Sequence, residues 1–243
     1  MPANAFDALI LIARPAAGKS EIIDFLKHVP PDERIRRFHI GLFREIDDFP
    51  MLWTWFEEDD ILERLGRERL HSTPGYYFKD PILWHVLIER ISLEYAKLTR
   101  DRPDYHDTNT VIIEFSRGTV HGGYREAFPH LSEAILRRAG VLYIDVSFEE
   151  SLRKNRRRFD PNRPDSILHH ALEDEKLERL YKEDDFKAFS SADPQWLTVK
   201  GIRVPYVIFD NHDDVTTDKP EQLAARLEDR LGALWTLHRA RQA

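Results

Sequence analysis

The sequence contains no cysteine among its 243 residues, which excludes disulfides and thiolate-bound metals. A zero count is compatible with a reducing compartment. No apolar run approaches the length of a bilayer crossing. The stretch "ALILIA" near the start is too short for a signal-peptide core, has no basic residues before it and runs into Arg14-Pro15. Positive charge is not in excess either: the formal net charge is −7, which argues against a general nucleic-acid binder and leaves only a local basic patch open. Internal repeats and low-complexity linkers are missing as well. These absences predict a soluble cytoplasmic protein. What is present, 42% hydrophobic and 33% charged residues, suits a globular chain with a substantial core and a well-solvated surface.

Five β-rich runs stand out, at 8–13, 38–43, 110–115, 141–146 and 204–209. Most are continuous apolar runs, as expected of strands buried on both faces of a parallel sheet. Helical patterns lie between them. Ser20 precedes a helix over 21–28, stopped by Pro30-Pro31. Asp80-Pro81 opens a long helix with Leu83, Val86, Leu87, Ile91 and Leu98 along one stripe. Ser147 and Glu150 form a capping box, and Leu223, Leu227, Leu231 and Leu234 make an apolar seam near the end. Strands alternating with helices predict an α/β fold in one domain over 1–243, with a helical insertion at about 44–106.

The first run leads into "LILIARPAAGKSEIIDFL". Ala13-x-x-x-x-Gly18-Lys19-Ser20 matches the relaxed form of a phosphate-binding loop, the Walker A pattern, with alanine in place of its first glycine. The setting suits the chemistry: with a strand before and a helix after, the N–H groups of Ala16, Ala17 and Gly18 and the helix dipole converge on phosphate oxygens. Lys19 is expected to neutralise the β- and γ-phosphates, and the Ser20 hydroxyl to ligate Mg²⁺. The Cβ of Ala13 restricts φ where glycine would not. A strand–loop–helix corner with an incidental Gly-Lys-Ser is the plainer alternative.

The guanine-reading Asn-Lys-x-Asp signature is missing, and "VIIEFSRG" ends in a single carboxylate, Glu114, followed by Arg117. Through "ARPAAGKS", "IIEFSRG", "YIDVSFEESLRKNRRR" and "VPYVIFDNHDD", the chain resembles the P-loop NTPases, in particular the nucleoside, nucleotide and small-metabolite kinases. The resemblance implies a three-layer αβα sandwich around a five-stranded parallel sheet in the order 2-3-1-4-5, and a lid at about 153–166. It implies ATP and Mg²⁺ as cofactors, with Ser20 and Glu114 at the metal, or Glu114 as base for an acceptor hydroxyl. Arg117 would orient that carboxylate or hold the acceptor. Lid arginines would neutralise the transferring phosphoryl: Arg153 and Arg157 share a helical face, Arg156 lies near it, and Arg158 and Arg163 bracket the lid loop. Asn211, in "VIFDNHDDVT", falls where such kinases pass the adenine ring. From the residues alone, Glu114 also fits a strand cap and Arg117 a solvated loop. The arginine run equally fits a solvated face or a nucleic-acid contact, and Asn211, His212, Asp213 and Asp214 fit a turn.

For an acceptor, Arg44, Asp47 and Asp48 follow the second run, with Trp53, Trp55 or Phe56 available to stack on a base or to serve as core. The loop "RGTVHGGYRE" offers His121, Tyr124 and Arg125 as a cover or as an ordinary connection. The expected function is an ATP- and Mg²⁺-dependent phosphotransferase acting on a nucleoside, nucleotide or other small metabolite. The rival readings are a nucleotide-binding ATPase or regulator without an acceptor, and a binder of phosphorylated metabolites or anionic polymers.

Overall fold

Strand β1 (Ala8–Ala13) is buried at every position and lies inside the sheet. The computed structural model describes residues 4–158 and 172–242. The other strands are β2 (Leu42–Asp47), β3 (Asn109–Phe115), β4 (Ala139–Asp145), β5 (Trp196–Val199) and β6 (Ile202–Asp210). Helices α1 (Lys19–His28) and α2 (Pro31–Phe38) join β1 to β2, and α3 (Asp48–Arg64) and α4 (Ile82–Arg100) lie between β2 and β3. Short helices α5 (Gly123–Ala127) and α6 (Glu133–Leu136) lead to β4. Next come α7 (Phe148–Arg158), α8 (Asp174–Tyr181) and α9 (Phe186–Phe189), and α10 (Pro220–Gln242) follows β6.

The sheet order is β2-β3-β1-β4-β6-β5, mostly parallel, with helices on both faces. Alternation along β1 divides the core. Leu9 and Leu11 pack with Ile22 and Leu26 of α1 and with Leu223, Leu227 and Leu231 of α10. Ile10 and Ile12 pack on the other side with Ile88 and Ile91 of α4 and with Tyr124 and Phe128. A third cluster, Leu52, Trp55, Phe56 and Leu87, forms the core of the α3–α4 insertion. Among the described residues, no helix is long and apolar enough to cross a membrane.

Two expectations are corrected. The sheet has six strands rather than five, because Trp196–Val199 pairs antiparallel with β6 across a turn at Lys200 and Gly201, both with positive φ. The second strand is Leu42–Asp47 rather than 38–43. Pro31 starts α2, which runs through Phe38, and His39 closes it in the left-handed conformation. That shift carries Asp47 onto the end of a strand. The lid expected at about 153–166 begins in α7, but its part from residue 159 onward lies outside the described residues, Arg163 included.

Leu227 is fully buried where α10 meets the sheet. Leu227→Ala is expected to lower unfolding free energy by about 2–5 kcal/mol, read from urea denaturation as a fall in midpoint at unchanged slope.

Candidate functional site

The corner between β1 and α1 is built by bracing. Ala13 remains in the strand, and its carbonyl accepts from the Tyr124 hydroxyl at 3.1 Å. The left-handed conformations fall instead at Ala16 (φ 56°) and Gly18 (φ 118°). A Cβ on Gly18 would stand 2.8 Å from the Thr216 side chain, so only glycine fits there. Gly18 is also the N-cap of α1 and offers no side-chain cap. Ser151 donates to the Pro15 carbonyl at 2.7 Å, and Asn211 Nδ2 to the Ala17 carbonyl at 2.9 Å. Arg14 fans out to the carbonyls of Val146 (3.0 Å), Tyr181 (3.3 Å) and Lys182 (3.2 Å), and pairs with Asp184 at 2.8 Å.

Asp47, the last residue of β2, is the register partner of Glu114 near the end of β3. On β3, Val111, Ile113 and Phe115 face the α4 side, so Glu114 points with Ile112 toward α1 and the loop. Burial, followed by the Asp47 charge, pushes Glu114 up to about 8, against the opposing pull of Lys19. Burial and Asp48 push Asp47 up to about 6, opposed by the Phe49 N–H and Lys19. Lys19 Nζ donates to Ser116 Oγ at 2.8 Å, which holds its ammonium just beyond β3.

Asp48 has its own counter-ion. Arg117, 2% exposed, pairs with it at 2.6 Å and donates to the Ser116 carbonyl (2.7 Å) and the Trp84 carbonyl (3.0 Å). Its guanidinium also lies 5.1 Å from the Trp84 ring centre. Arg117 thus ties α3 and α4 to the end of β3. Trp84 stacks in turn on His121 with ring centres 3.8 Å apart. Burial and Arg117 depress His121 to about 3, so its imidazole is neutral.

These groups share one cavity of about 630 Å³. Lys19 and Ser20 lie at its loop end, with Asp47, Asp48, Glu114 and Arg117 beside them. Trp53, Phe56, Tyr76, Tyr77, Phe78 and Trp84 supply an aromatic wall, and Lys176 and Arg179 enter from α8. Both cations lie against tyrosine rings: Lys176 is 5.6 Å from the centres of Tyr76 and Tyr77, and Arg179 is 4.6 Å from Tyr77.

Several candidates lie elsewhere. Arg153 pairs with Glu150 (2.6 Å) and Asp214 (2.8 Å), and Arg157 with Asp218 at 3.3 Å; neither lines the cavity. Arg156 pairs with Asp174 at 2.7 Å. Asn211 is fully buried behind the loop, and both of its amide hydrogens are engaged, by Ala17 and Thr216. His212 bonds Asp210 at 2.8 Å and Asp213 pairs with Arg226 at 2.6 Å, consistent with a turn. Trp55 packs on His71 and Phe78 within the insertion, and Arg44 is exposed on β2. Among the described residues, no group of three or more His, Cys, Asp and Glu side chains could hold a metal by itself. The cavity lining that the sequence motifs do not point to includes Lys176, Arg179, Tyr76, Tyr77 and Trp84. None of these sits in a motif.

No family model and no curated protein matches the chain. Among solved structures, TT1252 from Thermus thermophilus is 14% identical with a TM-score of 0.48, covering 96% of this chain and 98% of its own. A sugar kinase from Janibacter sp. HTCC2649 is 13% identical at 0.41, covering 96% and 98%. APE1195 is 14% identical at 0.42, covering 97% and 99%. No residue role follows from likenesses of this kind.

The buried acids make stability depend on pH. In the folded chain Glu114 keeps its proton up to about 8, whereas an unfolded carboxyl releases it near 4.5. Folding therefore retains a proton across that window, and this contribution to stability declines as pH rises through it. Without nucleotide or divalent metal, Glu114→Gln is expected to melt above wild type at pH 8 and to show a flatter profile between pH 5 and pH 8. Parallel melting profiles would show that Glu114 ionises normally.

Proposed function

We propose that the protein is an ATP- and Mg²⁺-dependent phosphotransferase whose acceptor is a small molecule held in the aromatic cavity. One observation carries this reading: a single cavity joins Lys19 and Ser20, at the start of α1, to Asp47 and Glu114 at neighbouring strand ends and to an aromatic wall. The loop end favours anions, through Lys19 and the helix N-terminus, and the strand ends favour cations. A magnesium–triphosphate pair satisfies both. The oxygens that would hold Mg²⁺ are the Ser20 hydroxyl and Glu114, with Asp47 beside it, and such sites need only one or two carboxylates in addition to substrate phosphates. Bound there, the metal would neutralise and orient phosphate oxygens.

The chain's own residues would do the rest. Ala16 and Gly18 would present loop amides to the phosphates and Lys19 would neutralise them, while the Ala17 N–H is engaged by the Arg14 carbonyl at 3.3 Å. Glu114 has two alternative assignments, holding Mg²⁺ or serving as base for an acceptor hydroxyl, and its raised proton affinity in the metal-free chain suits the second. Arg117 holds Asp48 and Trp84 in place, so the cavity wall depends on it. Lys176 and Arg179 already line the cavity and are assigned the charge-neutralising role expected of the lid, because Arg153 and Arg157 are engaged by acidic partners outside it. An ATPase without an acceptor has no use for an aromatic compartment beyond the phosphate end.

Calorimetry and thermal shift with ATP–Mg²⁺, each with a panel of nucleosides, nucleotides and sugars, test the reading. Saturating ATP–Mg²⁺ at one hundred times its Kd is expected to stabilise wild type by about 2.7 kcal/mol and Lys19→Ala not at all. Equal shifts in both proteins would remove the phosphate-loop assignment. Glu114→Gln is expected to keep nucleotide binding and to lose phosphoryl transfer by roughly 10²–10⁴-fold.

A further inference from the structure

Lys154 lies on α7 with only 5% of its surface exposed, yet it does not line the cavity. A buried ammonium needs acceptors. It donates to Asp214 Oδ1 at 2.8 Å and to Thr216 Oγ1 at 2.7 Å. Thr216 Oγ1 accepts a second bond, from Asn211 Nδ2 at 2.9 Å, and directs its own proton to Asp214 Oδ1 at 3.3 Å. A hydroxyl has one proton and two lone pairs, so Thr216 is fully used. The other Asn211 amide hydrogen goes to the Ala17 carbonyl at 2.9 Å, while Asn211 Oδ1 accepts from Val215 N at 2.9 Å. The chain of bonds runs without a gap from α7 to the loop.

Packing adds to it. The Thr216 side chain occupies the space that a Cβ on Gly18 would fill. Ser151, three residues before Lys154 on α7, bonds the Pro15 carbonyl directly. α7 therefore grips the loop at two carbonyls on either side of Ala16, the residue with φ of 56°. Removing the ammonium would leave Thr216 Oγ1 with Asn211 as its one donor, while Asp214 would keep Thr217 and Arg153, and Thr216 would be free to leave the rotamer that receives Asn211.

We infer that Lys154 is a positioning residue for the loop: through Thr216 and Asn211 it fixes the Ala17 carbonyl, and with it the direction of the amides that follow. Its effect on nucleotide affinity rests on the phosphate-loop reading above, whereas its effect on the loop belongs to the unliganded chain. The two are separable by experiment.

Amide hydrogen exchange on the unliganded full chain comes first, comparing wild type, Lys154→Met, Thr216→Val and the double variant. Each single variant is expected to speed exchange of the hydrogen-bonded amides at the loop, Ala17 (to the Arg14 carbonyl) and Ile22 (to the Gly18 carbonyl), by about tenfold, with β1 and α10 unchanged. The double is expected to be no faster than Thr216→Val alone, because residues acting in series do not add. ATP–Mg²⁺ affinity by calorimetry is then expected to fall about tenfold in all three variants while melting temperatures remain close to wild type. Wild-type exchange at the loop, faster exchange throughout the fold, or multiplied effects in the double variant would overturn the relay. If wild type itself binds no ATP–Mg²⁺, the phosphate reading falls, and the exchange data still decide the relay. Should Lys154→Met fail to fold, Thr216→Val provides the same readouts, and wild-type loop exchange in it overturns the proposal.

Discussion

Parallel register sets the half-buried Asp47 beside the buried Glu114, and keeping those two carboxylates together is the constraint behind the rest of the cavity. At an effective dielectric of about 20, two unit charges roughly 5 Å apart repel by about 3 kcal/mol, before any desolvation is counted. Asp48 adds to the repulsion, and its ion pair with the buried Arg117 offsets part of its charge. Lys19 lowers both acids, yet burial first and the neighbouring carboxylates second hold them above the ordinary carboxylate range. Lys19 also belongs to the anion-favouring end of α1. The corner thus carries an unbalanced need for a cation and an anion a few ångströms apart.

The loop has its carbonyls held from outside, Pro15 by Ser151 and Ala17 by Asn211. Its glycine content is low because its shape is imposed from outside. Ala13 is extended and needs no glycine, which removes the objection its Cβ raises against a phosphate loop. Ala16 does occupy the left-handed region, a strain of about 1–2 kcal/mol for a residue with a Cβ. The bonds to Pro15 and Ala17 on either side hold it there. Gly18 is different: Thr216 leaves it no room for a side chain, so that position of the motif is fixed by contact as well as by φ.

What could be read in advance was local in sequence. Strands β1, β3 and β4 are continuous apolar runs, and the pattern ending Gly-Lys-Ser needs no partner to be recognised. β2 was misplaced because Phe38 and Ile40, which look like strand, are fully buried at and beyond the end of α2. The true strand, "LFREID", is a sheet edge and carries charges. That error placed Asp47 in a loop and hid its pairing with Glu114. β5 is only four residues long and Lys200-Gly201 is a weak turn signal, so it escaped notice. The cations went astray for a related reason. Arg117 meets Asp48 across 69 residues and Arg153 meets Asp214 across 61, and no spacing rule reveals such partners. Lys176 and Arg179 reach the cavity only because α8 folds against the tyrosines of the insertion.

The two ends of the cavity are made by different parts of the chain. α7 and the turn after β6 hold the loop end, by direct hydrogen bonds to its backbone. α8 and the α3–α4 insertion make the far end, where the contacts are cations on ring faces, weaker singly and tolerant of sliding. Arg14 spans the division. It belongs to the loop, yet its guanidinium holds the carbonyls of Tyr181 and Lys182 where α8 ends. Residue 14 is therefore tied to the end of α8, while residues 15 and 17 are held by bonds that α8 does not make. The loop end is thus braced by hydrogen bonds to its backbone and the far end by cations on ring faces, two kinds of restraint on one cavity.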